Sequence, residues 1–412
     1  MQRRKQYIIT IVLALAVYAA NTRWIRPAEA STQPAARYDN NKYIGSASCA
    51  SCHKDIYDSH VKTAHYLDSR PATAAFIKGS FDRKRNHFTY SRNMEVVLEK
   101  KKDQFFQTAY FNGNVLESEA FGVVIGSGRK GQSYLYWDSV RLFQLPVSWY
   151  GPSDSWCNSP GYPTNLIYFN KQIHPQCMEC HSTYARTEEQ DNLGTVFDKN
   201  SILYGIDCER CHGPAADHVT FHQSHPGATI GKYIIDARRL SRQQRLDACA
   251  LCHSGLRQPL RPSFVFTVGD SLDEFSTPGY NTDSVSTLDV HANQYGLLTS
   301  SKCFKRSQMD CSSCHNVHTT EINSPAVFSQ RCMNCHKEDK HTSCTSAIVK
   351  SQSLSNNCID CHMPRLPSGK ILLQMSGSDT AAHDLVRTHR IGLYPDVVRV
   401  YLDTIRKKIL KK

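Results

Sequence analysis

The chain opens on three positive residues, Arg3, Arg4 and Lys5, followed by an uncharged apolar run from Tyr7 to Ala20. That run is short for a membrane span, and Ala28-Glu29-Ala30 puts small residues where a signal peptidase cuts. Residues 1–30 are therefore read as a secretory signal peptide, with retention as an N-terminal anchor as the alternative. Between residues 84 and 170 the pattern changes. Phe88-Thr89-Tyr90, Met94 to Leu98, Phe105 to Phe111, Phe121 to Ile125 and Ser133 to Trp137 are short aromatic and β-branched runs. Asn112-Gly113-Asn114 and Gly126-Ser127-Gly128 punctuate them, which predicts an antiparallel β-rich insertion with Lys100 to Lys102 as a solvated strand end. Near the end, Val397, Val400, Tyr401, Ile405 and Ile409 recur at helical spacing. Asp396, after Pro395, is placed to cap this helix, and Lys407, Lys408, Lys411 and Lys412 suit its carboxyl end.

Composition sharpens this picture. At 412 residues the chain has room for two or three compact units. Its apolar share of 40% is slightly low, so something other than aliphatic side chains fills part of the core. Seventeen cysteines and nineteen histidines point to a metal or cofactor.

The cysteines are ordered. Cys-x-x-Cys-His occurs at Cys49/Cys52/His53, Cys177/Cys180/His181, Cys208/Cys211/His212 and Cys249/Cys252/His253. It recurs at Cys311/Cys314/His315, Cys332/Cys335/His336 and Cys358/Cys361/His362, using fourteen of the seventeen cysteines. Random order of this composition would yield about 0.03 copies of the pattern, which is that of c-type haem attachment. Residues three apart share one face of a helical turn. Two thiols so placed can each add to a haem vinyl group, and the next histidine reaches the iron. Structural zinc does not require a histidine after every second cysteine, a thioredoxin-like pair expects one motif, and a disulfide framework expects no fixed spacing. The expected cofactor is seven covalently attached haems c, with fourteen thiols consumed in thioether links and the macrocycles forming the interior.

The formal charge of +12 weakens once these groups are counted. Removing residues 1–30 takes away five basic residues and one acid, leaving +8. Seven ferric haems, each about −1 with its propionates, bring the total to roughly +1. Much of the basic excess is then internal neutralisation, and no nucleic-acid partner is expected.

Seven irons need sixth ligands, and twelve histidines remain. His318 lies one turn beyond His315 and would cap a neighbouring haem. His218 follows His212-Gly213-Pro214 at short range, and His65 follows the first motif in a helical stretch. His291, His341 and His389 complete the candidates. His60, His87, His174, His222, His225 and His383 are read as surface or supporting residues, and Met178, Met333 and Met363 as packing residues. Of the leftover Cys157, Cys303 and Cys344, the last two suit a disulfide in an oxidising compartment, with a reactive thiol as the other reading.

The stretch from Tyr43-Ile44-Gly45-Ser46-Ala47-Ser48-Cys49 through Tyr57 to His65 resembles the first haem module of a multihaem family. That family includes the tetrahaem electron acceptor of hydroxylamine oxidoreductase. Tyr204-Gly205-Ile206-Asp207-Cys208 through Gly213-Pro214 to His218 resembles another of its hallmarks, and the resemblance implies distal-ligand roles for His65 and His218. The longer pattern, with Ile125 to Gly128, His291 to Gly296 and Cys311 to His318, is similar to uncharacterised seven-haem cytochromes of Bacteroidetes-type bacteria. It implies short α-helices and loops wrapped around stacked haems, with the β-rich insertion added. No Cys-x-x-Cys-Lys is present, unlike the active-site haem of ammonia-forming nitrite reductases.

The expected organisation is residues 1–30 as signal or anchor, 31–83 as the first haem module and 84–170 as the β-rich insertion. Residues 171–300 carry haems two to four with a loop-rich segment holding one strand pair, and 301–412 carry haems five to seven and the terminal helix. The expected function is electron transfer in the periplasm or elsewhere outside the cytoplasm. The expected partners are other redox proteins, a membrane quinol oxidase or cytochromes, with membrane association through an uncleaved N-terminus and the insertion as a docking element. The alternative is an oxidoreductase acting on a small nitrogen or sulfur compound at one haem with an open sixth position.

Overall fold

The computed structural model describes residues 42–190, 193–279, 288–321, 325–336 and 357–409. The N-terminal signal or anchor, His341 and Cys344 lie outside the described residues. No helix among the described residues is long and apolar enough to cross a membrane.

The aromatic runs become two antiparallel sheets. Strand β1 (Ser69–Pro71) precedes a four-stranded meander of β2 (His87–Ser91), β3 (Met94–Lys101), β4 (Gln104–Phe111) and β5 (Asn114–Ala120). A second sheet has the order β1-β6-β7-β8-β11, from β6 (Val123–Ile125), β7 (Gly131–Asp138), β8 (Arg141–Gln144) and β11 (Lys171–Gln172). Strand β9 (Val147–Tyr150) also pairs with β7, and β10 (Ser155–Asn158) with β9. The β-rich stretch expected over 84–170 thus also takes in Ser69–Pro71 and Lys171–Gln172. Lys100 and Lys101 end β3 in solvent.

The two sheets share one core. Phe88, Val96, Leu98 and Phe105 of the meander meet Tyr134, Tyr136, Val147 and Trp156 of the second sheet. Full burial of each such side chain stabilises by about 1.5–3 kcal/mol. Strand β7 alternates between two cores: Tyr134 and Tyr136 face the meander, while Leu135 and Trp137 face the motif-bearing side. Both faces are apolar because both are covered, so the run reads as continuous rather than alternating.

The second core joins Val123, Leu135 and Leu142 to Met178, Tyr184, Phe197 and Phe264. Met178 is the packing residue its position suggested. Around it lie the small ladders β12 (Ser182–Tyr184) with β15 (Leu203–Tyr204), and β13 (Thr187–Gln190) with β14 (Gly194–Phe197). The 261–300 region contributes one strand of a pair, β16 (Arg257–Pro259) with β17 (Ser276–Pro278). A hairpin of β18 (Arg365–Gln374) and β19 (Ala381–Arg387) follows the last motif.

The helices are short: α1 (Lys54–His60), α2 (Pro175–His181), α3 (Cys208–His212), α4 (Ala216–Ser224), α5 (Arg242–His253), α6 (Gln294–Thr299), α7 (Lys302–Lys305), α8 (Pro325–Met333) and α9 (Cys358–His362). Among these, α5 carries a full capping box, from Ser241 and Gln244. The terminal helix α10 (Pro395–Ile409) begins two residues earlier than a cap at Asp396 would place it. Pro395, whose fixed φ suits a first helical position, starts it, so Asp396 sits inside the first turn and pairs with Arg399 instead of capping. Cys157 is a buried free thiol in β10, and Cys303 is free; the Cys303–Cys344 disulfide falls on Cys344, outside the described residues.

Candidate metal-cofactor centres

All seven Cys-x-x-Cys-His units fold as single helical turns. The second, third, fourth and seventh end α2, α3, α5 and α9 on their histidines. In the first, fifth and sixth, the histidine N–H donates to the carbonyl of the first cysteine, at 2.8, 2.9 and 3.0 Å. Both thiols and the histidine therefore project from one turn, as attachment requires. None of the fourteen motif cysteines is in a disulfide.

Four motif rings have their Nδ1 engaged. His181 pairs with Asp68 Oδ2 at 2.8 Å, and His212 donates to the Ile235 carbonyl at 2.8 Å. His253 reaches Gln294 Oε1 at 3.3 Å, and His362 donates to the Gly392 carbonyl at 2.9 Å. Such partners fix the tautomer and leave Nε2 for a metal. Burial acts to lower the His181 pKa, but the Asp68 carboxylate outweighs it and the net direction is upward.

Three of the non-motif candidates face motif histidines. Ring centres are 6.1 Å apart for His65 and His253, and 6.2 Å apart for both His212 with His318 and His315 with His389. Two imidazoles that shared one metal through bonds of about 2.0 Å, with about 1.1 Å from each ring centre to its nitrogen, would have ring centres about 6.2 Å apart. His65 and His389 are each pushed down to about 4, first by burial and then by the facing histidine, which favours the neutral, ligating form.

A fourth spacing of 6.2 Å, His60 to His318, does not have this meaning. His60 is buried, and its two ring nitrogens lie on the carbonyls of Val317 (3.3 Å) and Ile206 (3.2 Å). His218 has its Nδ1 on the Lys232 carbonyl at 2.8 Å, with the His222 ring 4.6 Å away. His291 is exposed, with its N–H on Asp289. Among the described residues no group of three or more His, Cys, Asp or Glu side chains is gathered to hold a bare ion. The imidazoles come as facing pairs, which suits a group that brings its own equatorial ligands.

The motifs are brought together by contacts that sequence reasoning missed. The thiols of Cys49 and Cys208 lie against each other, as do those of Cys180 and Cys252, Cys249 and Cys311, and Cys332 and Cys358. The motif cysteines differ in exposure. Cys52, Cys177, Cys211 and Cys335 are exposed, and the other motif cysteines are half-buried. The Tyr401 hydroxyl of α10 has its pKa raised first by burial and next by the Asp360 carboxylate, with Cys361 a lesser contributor. The Ser51 hydroxyl lies 3.8 Å from the Cys52 sulfur.

Arginine–carboxylate clamps tie further motifs. Arg210 of the third motif lies 3.8 Å from Glu179 of the second, with side chains only 8% and 14% exposed. Arg245 on α5 pairs at 2.6 Å with Asp310, the residue before Cys311. Arg331, before Cys332, binds Glu321 and the Cys314 carbonyl. Arg387 pairs at 2.6 Å with Asp360 of the seventh motif. The buried Glu209 carboxylate accepts the N–H groups of Ile44, Gly45 and Ala215, anchoring the segment before the first motif. Part of the basic excess thus meets protein carboxylates. The only local hint was charge at the variable motif positions: Glu179, Glu209, Arg210 and Asp360.

Gly205 belongs to this framework. Its φ is +73°, and a Cβ there would lie 2.1 Å from the Tyr66 carbonyl. Only glycine lets the third motif approach the residue next to His65.

Known proteins are similar to this chain. The family described as cytochrome c554 and c-prime matches residues 165–213, which hold the second and third motifs. Over 194 residues the chain is 26% identical to multiheme cytochrome MtrA of Shewanella baltica (strain OS185), covering 45% of this chain and 51% of that protein. The chain spans about half the length of this curated relative. The crystal structure of outer cell wall cytochrome OcwA matches with a TM-score of 0.55 at 15% identity, over 87% of this chain and 81% of that one. That likeness shows the fold. Together these findings support a multihaem c-type cytochrome with haem c as its cofactor.

Proposed function

We propose that the chain attaches seven haems c and passes electrons among them outside the cytoplasm, exchanging them with other redox proteins. The carrying observation is the set of three facing imidazole pairs at 6.1–6.2 Å, each joining a motif histidine to a histidine from a distant segment. On this reading His53, His181, His212, His253, His315, His336 and His362 are proximal ligands. His65, His318 and His389 cap the fourth, third and fifth sites, while His218, His291 and His341 are candidates for the rest. The fourteen motif cysteines form the thioethers. Cys52, Cys177, Cys211 and Cys335 are among them, and their exposure would place an edge of the first, second, third and sixth macrocycles toward solvent. The cofactor's chemistry is reversible one-electron exchange at iron, tuned by axial ligand, burial and hydrogen bonds.

The chain's own residues supply the geometry. Thiol contacts and clamps join the motifs in the series one, three, two, four, five, six, seven. A continuous series of this kind favours a wire. The domain boundaries given above and an extracytoplasmic location belong to the same reading.

The test is mass spectrometry with spectroscopy on the natively matured protein. Seven covalent porphyrin adducts and low-spin spectra are expected; free thiols or bound zinc would overturn the proposal. A nitric oxide or cyanide shift at one site under mild reduction would instead favour an oxidoreductase acting on a small nitrogen or sulfur compound.

A further inference from the structure

Residues 387–392 run from the end of β19 toward α10 and touch two motifs. At one end Arg387 is fastened to α9: Nη1 donates to the carbonyls of Ile359 (2.9 Å) and Met363 (2.8 Å), and Nη2 to Asp360 Oδ1 (2.6 Å). The next residue, Thr388, is 1% exposed, and its N–H donates to the Pro364 carbonyl at 3.0 Å. At the other end the Gly392 carbonyl accepts from His362 Nδ1 at 2.9 Å, and the Gly392 N–H donates to the His362 carbonyl at 3.1 Å. Ile391 is tied by its N–H to Ser301 Oγ at 2.8 Å. Between these fixed points stands His389, facing His315 of the fifth motif.

The strap is thus bound to the seventh motif at both ends and presents a ring to the fifth. Asp360, which receives Arg387, is also held by Asn357 Nδ2 (2.7 Å) and by the Tyr401 hydroxyl of α10 (3.2 Å). Three charge-assisted bonds from one guanidinium, one of them to the braced Asp360, leave little play. Six residues with both ends tied allow His389 little independent travel, and a ligand displaced by about 1 Å no longer bonds well.

We propose that Arg387 is a positioning residue: it sets His389 against the fifth site from the seventh motif, so the sixth coordination of one centre depends on the integrity of another. This rests on the haem-ligand reading above. Its consequence is that loosening the seventh motif should expose the fifth centre to external ligands.

The experiment uses the full, natively matured chain. Arg387→Met, Arg387→Lys and the neighbouring Arg390→Met are compared for haem count by mass, for the high-spin fraction by electron paramagnetic resonance, and for carbon monoxide bound per reduced chain. Arg387→Met should keep the wild-type haem count, gain one high-spin centre and bind one more carbon monoxide. His389→Ala should give the same signature, and the double variant no more than either. Arg387→Lys, which keeps the charge but loses the fork, should be intermediate, and Arg390→Met unchanged. If Arg387→Met does not mature, Asp360→Asn loosens the same fork and should show the same gain. A full haem count with wild-type spectra and carbon monoxide binding in these variants overturns the strap. Wild-type protein without seven adducts overturns the underlying reading instead.

Discussion

The β-rich region and the motif-bearing region are held together by different physics. Strands β2 to β10 enclose an apolar core in which Phe88, Val96, Leu98, Tyr134 and Leu145 are essentially inaccessible to solvent. Around the motifs the protein-only core is thin. Ala250, Phe266, Val268 and Leu272 make up the buried cluster beside the fourth motif. What joins the turns there is a set of clamps, Arg210–Glu179, Arg245–Asp310, Arg331–Glu321 and Arg387–Asp360, together with thiols that touch across motifs. One region carries its own hydrophobic driving force. The other supplies polar latches and ligands, and the proposed macrocycles would provide much of its apolar interior. This comparison accounts for an apolar share below the globular average in a chain that is nonetheless folded.

The largest expected effect would break the comparison outright if it failed. Chain produced without haem attachment should lose amide-exchange protection across α3, α5, α8 and α9 while β2 to β10 stay protected. Equal loss in both regions would show that they are one cooperative unit. Next, Phe88→Ala should destabilise the β region by about 3–5 kcal/mol, read from unfolding of the Trp156 environment, with the haem spectra unchanged. Glu179→Leu should cost about 3 kcal/mol, because it removes the carboxylate beside the buried Arg210 and leaves the Phe264 N–H without its acceptor. That loss should register in the motif region, and in thermal unfolding followed at the haem bands. The smallest effect concerns pH. Burial acts to raise the Asp310 pKa, but Ser312 and Arg245 overcome it and hold the carboxyl below its ordinary 3.8. A depressed folded pKa means the clamp's contribution is present above 3.8 and is lost as pH falls through the lower folded value. Asp310→Asn should remove on the order of 1 kcal/mol of acid sensitivity there, measured as the pH dependence of unfolding.

The legible part of this molecule was the part encoded within a few residues. Each attachment turn is a five-residue pattern, and the strands from Phe88 to Trp137 follow short aromatic and β-branched runs. His65 and His318 stood out because they lie near motifs in the chain. His389 had no such signal, since its partner His315 is 74 positions away and nothing local links them. Asp68, which fixes the His181 ring from 113 positions away, was missed for the same reason. The exposed stance of His291, like that of Cys52 and Cys335, was equally invisible, because burial depends on what packs from elsewhere.

By itself the sequence determined the seven Cys-x-x-Cys-His turns, the attachment chemistry proposed for them and the presence of a β-rich unit. Thioether geometry needs two thiols and an imidazole on one helical turn, and strand formation needs only local alternation and turns. Tertiary structure alone decided which turns touch, which histidine faces which and which arginine latches which motif. Those are pairings between segments tens to hundreds of residues apart, selected by packing and by the cost of burying an unpaired charge, and neither quantity exists until the chain has folded.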